Sequence, residues 1–184
     1  VVIRLEAGFT FHKGVMMVSK PVVSKSIDVL SLRPARTSDM PLIEQIYQSA
    51  RPDLQWIDGE QALIETVREQ QWYMMQQSSG EQHPNAMHFM VERAGSNVGT
   101  VMVDFGLNEA RVIFIAMLPQ VRGQGYGRLI LQQLQVAARK VGCPLSATVW
   151  RMNHDAQRLY LALGFRCEEQ GAVADKWVWY PSDS

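Results

Sequence analysis

Ile115-Ala116-Met117-Leu118-Pro119-Gln120-Val121-Arg122-Gly123-Gln124-Gly125-Tyr126-Gly127-Arg128 runs from an apolar, β-rich stretch directly into a glycine-rich loop and then into a helical pattern. Three glycines at alternate positions let backbone N–H groups converge on a ligand without Cβ obstruction, and the start of a helix adds the positive end of its macrodipole. Such a junction suits a phosphate or pyrophosphate, with Arg122 and Arg128 placed to add charge-assisted contacts. The same glycines could also simply make a turn. Two other phosphate-binding patterns fail in detail. The dinucleotide fingerprint G-x-G-x-x-G meets Arg128 where its third glycine should stand, and the P-loop G-x-x-x-x-G-K-[ST] is absent.

Outward from this loop, Ile130, Leu134, Ala137, Ala138 and Val141 repeat at helical spacing, and Gly142 and Pro144 close the helix. Upstream, Met87 to Val91, Asn97 to Phe105 and Ala110 to Met117 read as three consecutive antiparallel strands separated by short polar turns. Before them, a strand at Val29 to Arg33 leads to a helix capped by Thr37 and carrying Leu42, Ile43, Ile46, Tyr47 and Ala50. A second, thinly apolar helix spans about Glu60 to Gln77, ended by the loop SSGEQHPN. Downstream come a strand near Leu145 to Arg151, a short helix holding Ala156, Leu159 and Leu163, and strands near Phe165 to Glu169 and Lys176 to Tyr180. The order is βααβββαβαββ. Residues 1–28 lack helical periodicity and read as an N-terminal extension, with a partner-pairing strand at Val15 to Val18 as the alternative; residues 29–184 form the domain.

The composition bounds the function. Hydrophobic residues are 47% and charged residues 20%, ordinary for a folded soluble chain, and Lys+Arg and Asp+Glu are both 18. A net charge of zero supplies no broad attraction for nucleic acid or an anionic membrane, and no apolar run approaches a membrane span. Cys143 and Cys167 stand far apart without neighbours at metal spacing, which argues against a metal site or a disulfide scaffold and for a cytoplasmic setting.

Gln120-Val121-Arg122-Gly123-Gln124-Gly125 matches [Q/R]-x-x-G-x-[G/A], the acetyl-CoA motif of the GNAT N-acetyltransferases, and the chain resembles that family. A second family pattern follows: Asn153 after a strand, Ala156 and Leu159-Tyr160 on a helix, then Leu163-Gly164-Phe165. The resemblance covers roughly Val29 to Tyr180. It implies a mixed α+β fold, with a mostly antiparallel sheet of six to seven strands flanked by about four helices, and acetyl-CoA as co-substrate without a metal.

What the resemblance implies can be written residue by residue. Ile115, Ala116 and Met117 occupy a strand that splays from the next and offers backbone groups to the pantetheine, with an N–H near Met117 or Leu118 polarising the thioester carbonyl. The pyrophosphate would lie on N–H groups from Gly123 through Gln124, Gly125, Tyr126 and Gly127 to Arg128. Asn153 would contact the cofactor arm or serve as a helix N-cap. Tyr160 would protonate the departing thiolate, or be a core tyrosine.

The base is less determined. Some relatives carry a glutamate five residues before the asparagine, where this chain has Thr148; Asp104 and Glu109 remain as candidates, with Glu92 behind them, and a water chain could serve instead. The acceptor is a small-molecule or peptide amine of open identity, met near Leu54, Trp56 and Ile57 and the turn Gly171 to Asp175. Trp177 and Trp179 share one strand face and suggest a homodimer contact. A non-catalytic acyl-CoA-binding protein of the same fold is the alternative function, and a longer acyl chain the alternative substrate.

Overall fold

The computed structural model describes residues 4–5, 10–12, 15–17, 30–51 and 60–182. Ten strands and four α-helices alternate through these residues: β1 (Arg4–Leu5), β2 (Thr10–His12), β3 (Val15–Met17), β4 (Leu30–Pro34), α1 (Met40–Ser49), α2 (Gln61–Gln82), β5 (Ala86–Arg93), β6 (Ser96–Phe105), β7 (Ala110–Met117), α3 (Tyr126–Val141), β8 (Leu145–Trp150), α4 (His154–Ala162), β9 (Arg166–Gln170) and β10 (Ala174–Trp179). From β4 onward the order is the βααβββαβαββ expected from the sequence. The main sheet runs β1-β4-β5-β6-β7-β8-β10-β9. Its pairings are antiparallel except β1 with β4 and β7 with β8. In the N-terminal extension, β3 pairs with β2 of the same segment.

Strand alternation sends side chains to two buried layers. On one face, Phe89, Val91, Val101, Val103 and Met117 join Ile130, Leu131, Leu134 and Ala138 of α3 and Tyr160 of α4. On the other, Met90, Ala116 and Leu118 meet Ile43, Ile46 and Tyr47 of α1 and Trp72 of α2. Each fully buried aliphatic chain of this kind contributes about 1.5–3 kcal/mol. No helix among the described residues is long and apolar enough to cross a membrane.

Three local expectations are corrected. Thr37 does not cap α1; Thr37–Asp39 form a 3-10 turn, and Asp39 accepts the Arg36 N–H at 2.7 Å while both its oxygens are held by Arg33 at 2.6 and 2.8 Å. Helix α2 continues through Ser78-Ser79-Gly80 to Gln82, because Ser79 is buried and packing offsets the roughly 1 kcal/mol cost of a helical glycine; the helix stops at His83, just before Pro84. The two tryptophans of β10 do not face outward. Trp179 lies in the core under the Arg139 guanidinium, with Trp177 packed partly buried against the same core.

Candidate functional site

Strand β7 carries a bulge at Ile113: Val112 faces Val103 while Phe114 faces Met102. Its pairing with β8 covers only Ala110, Arg111 and Val112 against Leu145, Ser146 and Ala147. Beyond that point the two parallel strands are no longer joined, so a cleft opens between Ile113–Met117 and Thr148–Trp150. The polar edge of β7 in this cleft follows from its ladder with β6. Leu118 N–H donates to the Val98 carbonyl at 2.9 Å, which occupies one of the two donors expected to meet the thioester. Because antiparallel pairs alternate between bonded and non-bonded, Met117 opposite Gly99 and Ile115 opposite Val101 turn their N–H groups to the other edge, toward β8. The N–H groups turned toward the cleft are thus those of Met117 and Ile115, rather than that of Leu118.

Gly99 permits this arrangement. A Cβ there would stand 2.6 Å from the Ala116 carbonyl oxygen and 2.6 Å from Met117 Sδ. Sequence reading passed over Gly99, although an isolated glycine within a strand pattern is the recognised signal of close backbone approach.

At the end of β7 the loop turns through Gly123 and Gly125, with φ of 76° and 82°. A Cβ at either position would meet nothing within 4 Å, so the loop is open above its backbone. Gly125 is the N-cap of α3 and provides no side-chain cap, leaving the first-turn N–H groups of Tyr126, Gly127 and Arg128 directed at the loop. The cradle therefore fits a pyrophosphate: orphan donors, a helix dipole and no obstructing side chain. Tyr126 is buried, donates to Gln124 Oε1 at 2.9 Å and stacks under Arg93, which stiffens the turn. Arg128 is exposed beside the cradle. Arg122 is partly engaged elsewhere, with Nε on the Met117 carbonyl at 3.0 Å and Nη2 on Ser49 Oγ at 2.8 Å; it ties the loop to α1.

Helix α4 lies beside the start of α3, since a Cβ on Gly127 would come within 3.9 Å of Leu159. Asn153 is the N-cap of α4, accepting the Ala156 N–H at 3.1 Å. Tyr160 is buried edge-on against Phe165, 4.9 Å between ring centres, in the same cluster as Met117, Tyr126 and Val149. Burial pushes its hydroxyl well above the ordinary phenol value, so it holds its proton throughout the working range.

The proposed bases lie apart from this assembly. Glu109 precedes β7, about 20 Å of extended chain from Ile115. Desolvation there would raise its pKa, but the Arg111 guanidinium and the Lys176 ammonium at 3.8 Å bring it below the usual carboxylate value. Asp104 pairs with His83 at 3.0 Å near that same end, and Glu92 is bound to Arg33 at 2.6 Å. Thr148 is exposed on β8 opposite Lys176. Leu54, Trp56 and Ile57 fall outside the described residues. In the second acceptor element, the turn before β10, Val173 is exposed. No group of three or more His, Cys, Asp or Glu among the described residues could hold a metal.

Strand β7 thus leaves an open edge toward β8 and leads through a glycine loop to an uncapped helix start. The acetyltransferase (GNAT) family model matches residues 43–165, and the chain belongs to that family. Solved structures share the fold. An acetyltransferase from Thermus thermophilus has TM-score 0.60 at 21% identity, over 82% of this chain and 96% of the other. The PaiA N-acetyltransferase from Thermoplasma acidophilum, in complex with coenzyme A, has TM-score 0.62 at 12% identity, over 82% and 98%. The ribosomal-protein-S18-alanine N-acetyltransferase from Escherichia coli has TM-score 0.60 at 21% identity, over 84% and 96%. No curated protein matches the sequence.

Proposed function

We propose that this protein is an acetyl-CoA-dependent N-acetyltransferase that moves an acetyl group to an acceptor amine by direct attack in a ternary complex. The observation that carries the reading is the end of β7–β8 pairing at Val112 and Ala147, with β7 running on to a glycine loop and an uncapped α3 start. Acetyl-CoA would lie with its pyrophosphate on the N–H groups of Gly123 to Arg128 and its pantetheine along the free edge of β7. Support for coenzyme A as the ligand comes from the family and from the similar fold that is in complex with it.

In this reading the amine's lone pair attacks the thioester carbon. The N–H groups of Met117 and Ile115 stabilise the charge that develops on oxygen; loss of one such donor typically costs about 2.7–4 kcal/mol. As the C–S bond breaks, the Tyr160 hydroxyl gives its proton to the sulfur. Asn153 positions α4, and with it Tyr160, through its N-cap bond. Asp104 and Glu109 are already bound to cationic or histidine partners, and we assign the proton leaving the amine to water in the open cleft. Cys143 at the turn before β8 and Cys167 on β9 are free thiols away from the cleft, so no acetyl-enzyme step is invoked.

Initial rates measured with both substrates varied test the mechanism. Intersecting double-reciprocal lines are expected, and parallel lines would replace direct attack with a covalent route.

A further inference from the structure

Beneath α2 a cavity of about 300 Å³ opens over β5 and β6, lined by Met40 at the start of α1, Trp72 and Gly80 of α2, His88 of β5 and Met102 of β6. Strand β7 stands between it and the edge that opens toward β8. No Asp, Glu, Lys or Arg among the described residues lines it, and its second imidazole, His83, is engaged by Asp104 at 3.0 Å. His88 is different. Thr100 Oγ1, wholly buried, gives its single hydrogen to the Phe89 carbonyl at 2.9 Å, so at 2.7 Å from His88 Nε2 it can only accept. Nε2 therefore carries the ring hydrogen. Burial lowers the His88 pKa, so the ring is neutral near pH 7, and Nδ1 is a bare acceptor with no hydrogen-bond partner among the described residues. Gly80 is the other unusual feature. It lies inside α2, where alanine would be the more stable residue, its φ is not positive, and a Cβ there would meet nothing within 4 Å. Neither the backbone nor the packing requires a glycine, and its effect is to leave the cavity open.

We propose that this cavity is a second binding site, for a small neutral molecule of the phenol class whose hydroxyl donates its hydrogen to His88 Nδ1. The volume sits at the low end of the range for small-molecule sites, enough for one substituted ring and far too little for coenzyme A. The walls favour an aromatic ring, because Trp72 offers a π-system and Met40 and Met102 offer thioethers, which make favourable contacts with rings. They also select against charge. An ion entering here would lose hydration and find no charged side chain to compensate it. A neutral ring without a donor would fill the space but leave Nδ1 unpaired and desolvated, so the hydroxyl is what distinguishes the ligand from other apolar molecules.

The test is calorimetric titration of the whole chain with phenol and with anisole, which has the same ring but no hydrogen to give. Phenol should bind saturably and about three- to tenfold more tightly than anisole, the size of one net hydrogen bond, although anisole is the more apolar of the two. His88→Leu should abolish that preference by weakening phenol alone. Gly80→Leu, which narrows the opening and favours the helix, should weaken both ligands while melting no lower than the wild type. In long-range 1H–15N spectra the His88 Nδ1 resonance, identified by its absence from His88→Leu, should move upfield as phenol is added. Saturating acetyl-CoA should leave the phenol titration unchanged, since the glycine loop lies elsewhere. The proposal is overturned by the absence of saturable phenol binding, by equal affinities for phenol and anisole, by unaltered phenol binding in either folded variant, or by displacement of phenol with acetyl-CoA. None of these results bears on the acetyltransferase reading, which rests on the β7–β8 cleft.

Discussion

Replacing Gly125 with glutamate puts a carboxylate where the cradle should receive pyrophosphate, and its cost separates into two measurable parts. The first is backbone strain: at φ of 82° a side chain costs about 1–2 kcal/mol. The second is loss of ligand binding. For a chain of 184 residues, an unfolding entropy of about 2.1 cal/mol/K per residue makes 1 kcal/mol worth roughly 2.6 °C. Strain alone should then lower the melting temperature by about 3–5 °C. Acetyl-CoA at 100 times its dissociation constant stabilises the wild type by about 2.7 kcal/mol, or roughly 7 °C. The control is Gly142→Ala at the other end of α3. It has φ of 73° and the same open space where a Cβ would stand, so it carries the strain without touching the cradle. Differential scanning fluorimetry should show both variants melting lower, with the acetyl-CoA shift kept in Gly142→Ala and absent in Gly125→Glu. An undiminished shift in Gly125→Glu would refute the placement of the phosphates on this loop, and a lost shift in both would assign the effect to strain.

Tyr160→Phe should lower kcat by about a hundredfold or more with little change in the acetyl-CoA KM, and because burial raises the Tyr160 pKa the wild-type pH–rate profile should show no loss from its ionisation below about pH 10. Glu109→Gln should leave the pH–rate profile unchanged in shape; a missing limb would make Glu109 the base after all. Asp39, held by hydrogen bonds from Arg33, has its pKa lowered from 3.8 to about 2. A depressed carboxylate stabilises the fold above its unfolded pKa and loses that contribution as pH falls through its folded one. Asp39→Asn should therefore cost about 2 kcal/mol near neutrality, and its deficit against the wild type should vanish in melts taken between about pH 4 and pH 2.

The glycine loop was readable because its determinants are local. Gly123 and Gly125 need positive φ, α3 needs a start, and its apolar stripe from Ile130 to Val141 follows immediately, so a short run of consecutive residues states both the turn and its orientation. Asn153 was readable for the same reason, its partner being Ala156 three residues on. What resisted reading depends on residues distant in sequence. Leu118 and Met117 are adjacent in sequence, and only the pairing of Leu118 with Val98 decides which N–H faces the cleft. Arg51 looks like an ordinary charged residue after a helix until Trp150, on another strand, comes to lie 4.5 Å away. Thr37 and the Ser78-Ser79-Gly80 run failed in the opposite direction: their local preferences for capping and turning are worth about 1 kcal/mol, less than the pairing of Arg33 with Asp39 or the burial around Ser79. Backbone chemistry at the phosphate loop is thus written in short spacing. Side-chain contacts between distant elements, such as Arg51 with Trp150, are written only in the three-dimensional packing and can change without disturbing the glycine loop.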